Sequence, residues 1–188
     1  YQKGKRLAKK QNVLQRQFKA DEPNRVWVSD VTCFKINDKY LYICVILDLF
    51  SRKVVAYRVS PKNSTYLITS TFRQAYQNRN APQSLMFHSD QGAQYTSKTF
   101  CKLLRMNKVV QSFSAPGQPH DNAVMESFFS FMKREEIYRT HYKSEQQFAK
   151  SVDNYIEFYN TQRPHSTLNY KTPDQFEAIY EVKKKYVD

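Results

Sequence analysis

The chain has no run of about eighteen apolar residues, the length a membrane-spanning helix needs. It has no charged-then-apolar leader of the kind that directs export, so it reads as a cytoplasmic protein. Cysteine is sparse: Cys33, Cys44 and Cys101 are odd in number, far apart and set inside apolar patterns. They read as reduced packing thiols in preference to a disulfide framework or a zinc site. The four histidines, His88, His120, His141 and His165, lack metal-ligand spacing. Internal repeats and low-complexity tracts are missing too. Above all the chain lacks negative charge, with 17 Asp and Glu against 30 Lys and Arg, a formal net charge of +13.

A pI near 9.6 makes polyanions the natural partners, and nucleic acid and anionic membrane both fit that charge. At 188 residues the chain is one generous domain, large enough to bury a core. It opens on Tyr1 and not on Met, which reads as the start of an internal piece of a longer polypeptide. Residues 1–25 carry eight Lys and Arg against Asp21 and Glu22. They read as a basic linker or arm, either tracking a DNA backbone or serving as a solvated tether. Residues 26–143 read as the catalytic core and 144–188 as a helical C-terminal extension packed on it.

Residues 27–34 alternate and are rich in β-formers, residues 40–50 are almost continuously apolar, and a third short run follows over 53–59. With Asn37-Asp38 as the first turn, these predict an antiparallel meander whose middle strand is buried on both faces. Asn63 or Ser64 is placed to cap a helix in which Ile68, Phe72, Ala75 and Tyr76 form one stripe. Leu85-Met86-Phe87 predicts a short buried strand that delivers Asp90, with Gly92 letting the chain turn away tightly. Ser97 caps a second helix with Phe100, Leu103 and Leu104 inward, and Val109-Val110 predicts a fifth strand. Two prolines and a glycine make 114–120 a loop, either a flap over substrate or a plain connection.

From Ala123 the spacing predicts a helix with an apolar arc of Val124, Met125, Phe128, Phe129, Phe131 and Met132. Glu126, Ser130 and Lys133 cluster beside that arc. Glu135 and Glu136 would fall inside it, so the pattern must bend, stop or shift near Arg134. Ser144 with Gln147 predicts a capping box, followed by an amphipathic helix with Phe148, Val152, Tyr155, Ile156 and Tyr159 inward. Arg163-Pro164 ends it, and helix resumes from Pro173.

Residues 26–132 hold twelve basic side chains and only six acids, so each acid needs a reason. Asp38 belongs to its turn, Asp48 suits a pairing with Arg52, and Asp121 stands where a helix cap belongs. Asp30, Asp90 and Glu126 remain. If the first and fourth strands are neighbours, these three carboxylates converge into an oxygen-donor site for hard divalent ions such as Mg²⁺. Two such ions suit phosphodiester chemistry. Lys133, two turns beyond Glu126, either holds a DNA phosphate or is a solvated surface lysine. His88, two residues before Asp90, either contacts metal-bound water or DNA or packs at the strand end. Gln91, Gln94, Tyr95 and Asn122 flank the site and are candidates for touching DNA. Ser130, between Glu126 and Lys133, has no base partner and is a DNA-contact candidate, not a nucleophile.

Taken together, Trp27-x-x-Asp30-x-Thr32, Asp48-Leu-Phe-Ser-Arg52, His88-Ser-Asp-Gln-Gly92, Asp121-Asn-Ala-x-x-Glu126-Ser-Phe-Phe and Tyr159-Asn-x-x-Arg-Pro-His165 closely resemble bacterial insertion-sequence transposases of the OrfB type. These are relatives of retroviral integrases. The resemblance covers about residues 20–178. It implies an α/β, ribonuclease H-like fold with a mixed five-stranded sheet flanked by helices. It implies an Asp-Asp-Glu triad at Asp30, Asp90 and Glu126 binding Mg²⁺ or Mn²⁺, and DNA 3′-end cleavage followed by strand transfer. It also implies insertion-sequence ends and target DNA as partners, a homo-oligomer assembled on DNA at the bacterial nucleoid, and an upstream end-reading helix-turn-helix region. The rival readings are a ribonuclease H-like nuclease that stops after water attack and a catalytically silent DNA-binding protein.

Overall fold

The computed structural model describes residues 11–186, and the first ten residues of the expected arm lie outside it. Three strands, β1 (Val26–Ile36), β2 (Lys39–Asp48) and β3 (Val54–Ser60), form the meander. Asn37 and Asp38, at φ 47° and 63°, supply the two left-handed positions that a two-residue hairpin of this twist requires. Helix α1 (Thr65–Asn78) starts where Ser64 accepts the Leu67 N–H and leads to β4 (Met86–Ser89), which lies parallel to β1. Helix α2 (Lys98–Met106), capped by Ser97, then leads to β5 (Val110–Phe113), parallel to β4. The strand order is β3-β2-β1-β4-β5. Helices α3 (Ala123–Glu135), α4 (Glu145–Thr161) and α5 (Pro173–Lys185) complete the chain.

The two-residue period of a strand sends alternate side chains of β1 to opposite faces. On one face Trp27 joins Phe72, Phe87 and Phe100 under α1 and α2, with Phe72 edge-on to both Phe87 and Phe100. Each such fully buried ring contributes about 1.5–3 kcal/mol relative to exposure. On the other face Val28, Ile43 and Val45 meet Met125, Phe128, Phe129 and Met132 of α3 and the buried stripe of α4. Asp30 shares the Val28 side of β1, so the alternation that buries Val28 under α3 also turns Asp30 toward that helix.

Several pairings differ from the sequence expectation. Asp48 does not pair with Arg52. It meets Arg79 at 3.3 Å, while Arg52 donates to the Phe18 carbonyl at 2.7 Å. Ser144 accepts the Gln147 N–H, but the Gln147 side chain takes the Lys143 N–H and not that of Ser144. The reciprocal box is instead at Thr172 and Gln175, at the start of α5. Helix α3 ends at Glu135, as the misplaced acids require. Glu135 leaves the apolar arc to receive both Arg163 nitrogens at 2.7 and 2.8 Å. The described half of the basic arm is no free tether, because Leu14 is buried in the α3–α4 layer and Phe113 donates its N–H to Gln11. Among the described residues no helix is long and apolar enough to cross a membrane.

Candidate active site

Three elements bring the three unexplained acids to one place. Asp30 lies on β1, Asp90 just beyond the end of β4, and Glu126 in the first turn of α3. All three line a cleft of about 420 Å³, which is closed on one side by residues 114–118 and completed by Gln91 and Asn122. Parallel pairing of β1 with β4, in register at Val28 and His88, is what places Asp30, midway along β1, beside the C-terminal end of β4 and Asp90.

Asp30 is the most buried of the three. Burial, and then the charges of Asp90 and Glu126, push its carboxyl up to about 7, against the Val31 N–H and the Lys133 ammonium, which pull it down. One oxygen of Asp30 accepts the Val31 N–H at 2.7 Å, and one of Asp90 accepts the Gly92 N–H at 2.9 Å. A donor set made only of carboxylate oxygens, crowded enough to keep a proton, has the chemistry of a hard-cation site. Among the described residues, however, no three Asp, Glu, His or Cys side chains stand close enough together to hold an ion as they are.

Gly92 has a role other than the expected tight turn. A Cβ at this position would stand 3.0 Å from Asp90 Oδ1, so glycine leaves room for the carboxylate to sit over the backbone of its own loop.

His88 is not at the cleft surface. It is fully buried, with Nδ1 2.8 Å from Ser112 Oγ and Nε2 3.0 Å from the Asp121 carbonyl. A carbonyl only accepts, so Nε2 carries the proton and Nδ1 takes the Ser112 hydroxyl. Burial pushes its pKa down. Of its two sequence readings the packing one holds, because β4 is still enclosed at position 88 and emerges only at Asp90.

Asp121 does not cap α3. Asn122 occupies the cap position and makes no side-chain capping bond. Asp121 is instead a buried anchor, accepting the Ala115 N–H at 2.9 Å, Asn12 Nδ2 at 2.9 Å and Arg16 Nε at 2.6 Å. The Ala115 N–H and the arginine hold its carboxyl below the usual range. It thereby ties the cleft loop to the basic arm, a link between distant segments that no local pattern in the sequence signals.

Among the remaining candidates, Gln91 donates to the Ser114 carbonyl at 3.0 Å. Asn122 Nδ2 reaches the Ser29 carbonyl at 3.3 Å, while Asn122 Oδ1 is buried without a partner. Lys133 stands over the Phe34 ring at 5.7 Å, near enough to Asp30 to lower its pKa. Ser130 is exposed and outside the cleft lining. Tyr95 is buried, its hydroxyl 2.7 Å from Ser29 Oγ, and Gln94 reaches away to the Asn63 carbonyl.

Residues 20–119 match the family described as Integrase core domain, and residues 107–173 match a second model of the same description. The chain belongs to the integrase core domain family. Among relatives of this integrase core, the transposase for insertion sequence element IS904 of Lactococcus lactis is 40% identical over 167 residues, covering 88% of this chain and 66% of that protein. The transposase InsF for insertion sequence IS3A of Escherichia coli is 36% identical over 168 residues, covering 89% of this chain and 58% of that protein. The chain thus spans 58–66% of the length of these relatives.

Solved structures agree on the fold. The HTLV-2 integrase catalytic core domain in complex with magnesium, in its trimeric form, superposes with a TM-score of 0.69 at 18% identity over 84% of this chain and 99% of that one. The catalytic core domain of BIV integrase superposes at 0.64 with 19% identity, covering 86% and 99%. The integrase core described here has the ribonuclease H-like fold.

Proposed function

We propose that this chain is the catalytic domain of a DNA transposase, cleaving the 3′ ends of an insertion sequence and joining them to target DNA by transesterification. One observation carries the reading: Asp30, Asp90 and Glu126 line the same cleft, with the Asp30 carboxyl driven to about 7 in part by the other two. Their oxygens would hold Mg²⁺ or Mn²⁺, as the magnesium of the HTLV-2 relative suggests. Two bound ions would supply charge stabilisation for the attacking and leaving oxygens of a phosphodiester displacement.

The chain's own groups do the positioning. Lys133, beside Asp30, supplies positive charge to hold a phosphate at the cleft. Gln91 and the partnerless Asn122 Oδ1 offer hydrogen bonds to sugar or phosphate. Residues 114–118 serve as the flap over the strand, anchored through Asp121 to the arm. The attacking group is water in the cleavage step and the freed DNA 3′-hydroxyl in the joining step, with the cut strand leaving as the new 3′-oxygen. Charge of +13 favours the DNA backbone. A homo-oligomer on paired DNA ends, acting at the bacterial nucleoid, completes the reading.

A branched DNA mimicking a strand-transfer product, incubated in Mn²⁺, tests this reading, because the branch supplies a positioned 3′-hydroxyl. Wild type is expected to reseal the branch and Asp90→Asn to leave it intact. Cleavage without joining would replace the transposase with a nuclease, and no metal-dependent product from either protein would leave a DNA-binding module. In the same assay Gly92→Ala is expected to lose about 10- to 100-fold in joining rate, the scale of a misplaced reacting group. Its thermal midpoint should stay close to wild type, since position 92 lies on an open loop. Wild-type joining by Gly92→Ala would show that the Asp90 carboxylate tolerates displacement.

A further inference from the structure

The carboxylate cleft leaves two of the sequence motifs without a part, the one ending in Arg52 and the one running from Tyr159 to His165. Both meet at a second hollow of about 560 Å³ on another flank of α3. Glu126 faces the cleft, whereas Ser127 and Phe131 line the hollow. At 100° per residue, Ser127 stands about a quarter-turn around the helix from Glu126. The cleft and the hollow therefore open on adjacent flanks of the same helix.

Its walls combine aromatic surface with unmatched hydrogen-bonding groups. His165 is 8% exposed, and its Nε2 is buried with no partner. Burial and the neighbouring Arg163 and Arg52 charges push its pKa down to about 4, so the ring is neutral and offers one donor or acceptor. Arg52 spends Nη2 on the Phe18 carbonyl while its Nη1 is likewise buried and unpartnered. A buried polar group without a partner is costly, and native structures hold few of them. Two in one hollow point to a ligand that satisfies them.

Tyr170 supplies the rim. Its side chain is 77% exposed, and it follows Asn169 in a turn where both residues sit in the left-handed region, at φ 53° and 59°. That conformation is unfavourable for a bulky side chain, and an exposed ring gains little packing in return. Arg163 is already neutralised by Glu135 and lies 4.3 Å over the Phe131 ring. The hollow therefore offers the exposed Tyr170 ring and isolated hydrogen-bonding groups, with Arg52 the one lining guanidinium that has no carboxylate partner among the described residues. A phosphate would call for more free positive charge. A flat heteroaromatic ring with donors and acceptors along its edge matches the walls better.

We propose that this hollow receives one unstacked DNA base, stacked against Tyr170 and read along its edge by Arg52 and His165. A base turned out of the helix offers both features at once, a π-face for stacking and an unpaired edge for hydrogen bonds. Captured there, it fixes the strand's register relative to the carboxylates. The proposal rests on the DNA reading above, and the two fail separately.

The test uses the 188-residue chain and forked DNA with a short unpaired end, in which one unpaired nucleotide at a time is replaced by an abasic residue. Affinity is measured by fluorescence anisotropy at one fixed salt concentration. Wild type is expected to bind the intact fork about tenfold more tightly than the fork abasic at one particular position, the scale of one base–aromatic stack. In Tyr170→Ala that ratio should fall below about twofold, and in Tyr170→Phe it should persist, because stacking needs the ring and not the hydroxyl. Equal wild-type affinity for every abasic fork would overturn the proposal and assign the hollow to a protein segment. A ratio unchanged in Tyr170→Ala would also overturn it. Absence of binding to any fork would strike the DNA reading itself.

Discussion

Asp30→Asn is expected to abolish strand joining and, at the same time, to make the metal-free chain more stable at pH 8. The loss in joining should be roughly three orders of magnitude or more, the scale reached when one member of an interdependent catalytic set is removed. The gain follows from where the carboxyl sits. In the folded chain its pKa is about 7, against 3.8 for the ordinary group. Between those values the folded, metal-free chain retains a proton that the unfolded chain has released. Stability from this group is therefore complete below about pH 4, falls as pH rises toward 7, and is flat above that.

Asparagine does not titrate, so in chelator this part of the pH slope should disappear and the variant should be favoured by roughly 2–4 kcal/mol at pH 8, the upper figure corresponding to the whole span from 3.8 to about 7. Urea unfolding at pH 5 and pH 8 measures it, with the two proteins drawing together at the lower pH. Added Mn²⁺ should stabilise wild type and leave the variant unmoved, since a ligand that binds only the folded state adds to its stability. Equal pH slopes for the two proteins would show that Asp30 is not held up in the folded chain. Joining that survives the substitution would remove it from the site. Opposite movement of activity and stability is the signature of a carboxylate kept for chemistry and not for packing.

What could be read from the sequence divides along the range of the interaction. Elements set by local periodicity were legible: the hairpin at Asn37-Asp38, a helix start at Asn63 or Ser64, the cap at Ser97, the buried stripe of α4, and a break in the α3 pattern near Arg134. The three acids of the cleft were legible by scarcity, because in a basic stretch every other acid had a local explanation to offer. Those explanations were less secure. Asp121 and Asp48 both looked locally satisfied, yet each is held by residues far away, Arg16 and Asn12 in one case and Arg79 in the other. His88 shows the limit of the two-residue rule, which placed it beside Asp90 although the strand is still enclosed at one position and has ended before the other. Leu14 shows a related limit. Val13, Leu14, Phe18 and Ala20 are too few, among basic and polar neighbours, to set a clear period, so nothing local marks Leu14 as part of the core.

The second large effect is expected at Arg79, where the sequence offered no hint of importance. Its guanidinium donates to Asn24 Oδ1 at 2.7 Å, to Glu177 through both terminal nitrogens and to Asp48 Oδ2 at 3.3 Å. Asp48 is fully buried and Glu177 nearly so. Burial raises the Asp48 carboxyl, whereas Arg79 holds that of Glu177 below the usual range despite its burial. One side chain therefore joins the end of α1, the end of β2 and helix α5. Arg79→Met keeps most of the bulk and removes the charge, leaving Asp48 and Glu177 facing each other with only Lys53, 3.7 Å from Glu177, to offset them. The cost expected in urea unfolding at pH 7.5 is about 3–5 kcal/mol, the scale for breaking a buried pair from one side. Without the arginine both carboxyls should titrate above their unfolded values, so the variant's deficit should shrink as pH falls toward 5. Adding Glu177→Gln should recover part of the loss even at pH 7.5, because it removes one of the unmatched charges. A deficit under about 1 kcal/mol would rank this network with solvated surface pairs. A large deficit independent of pH would place the damage in packing and not in charge.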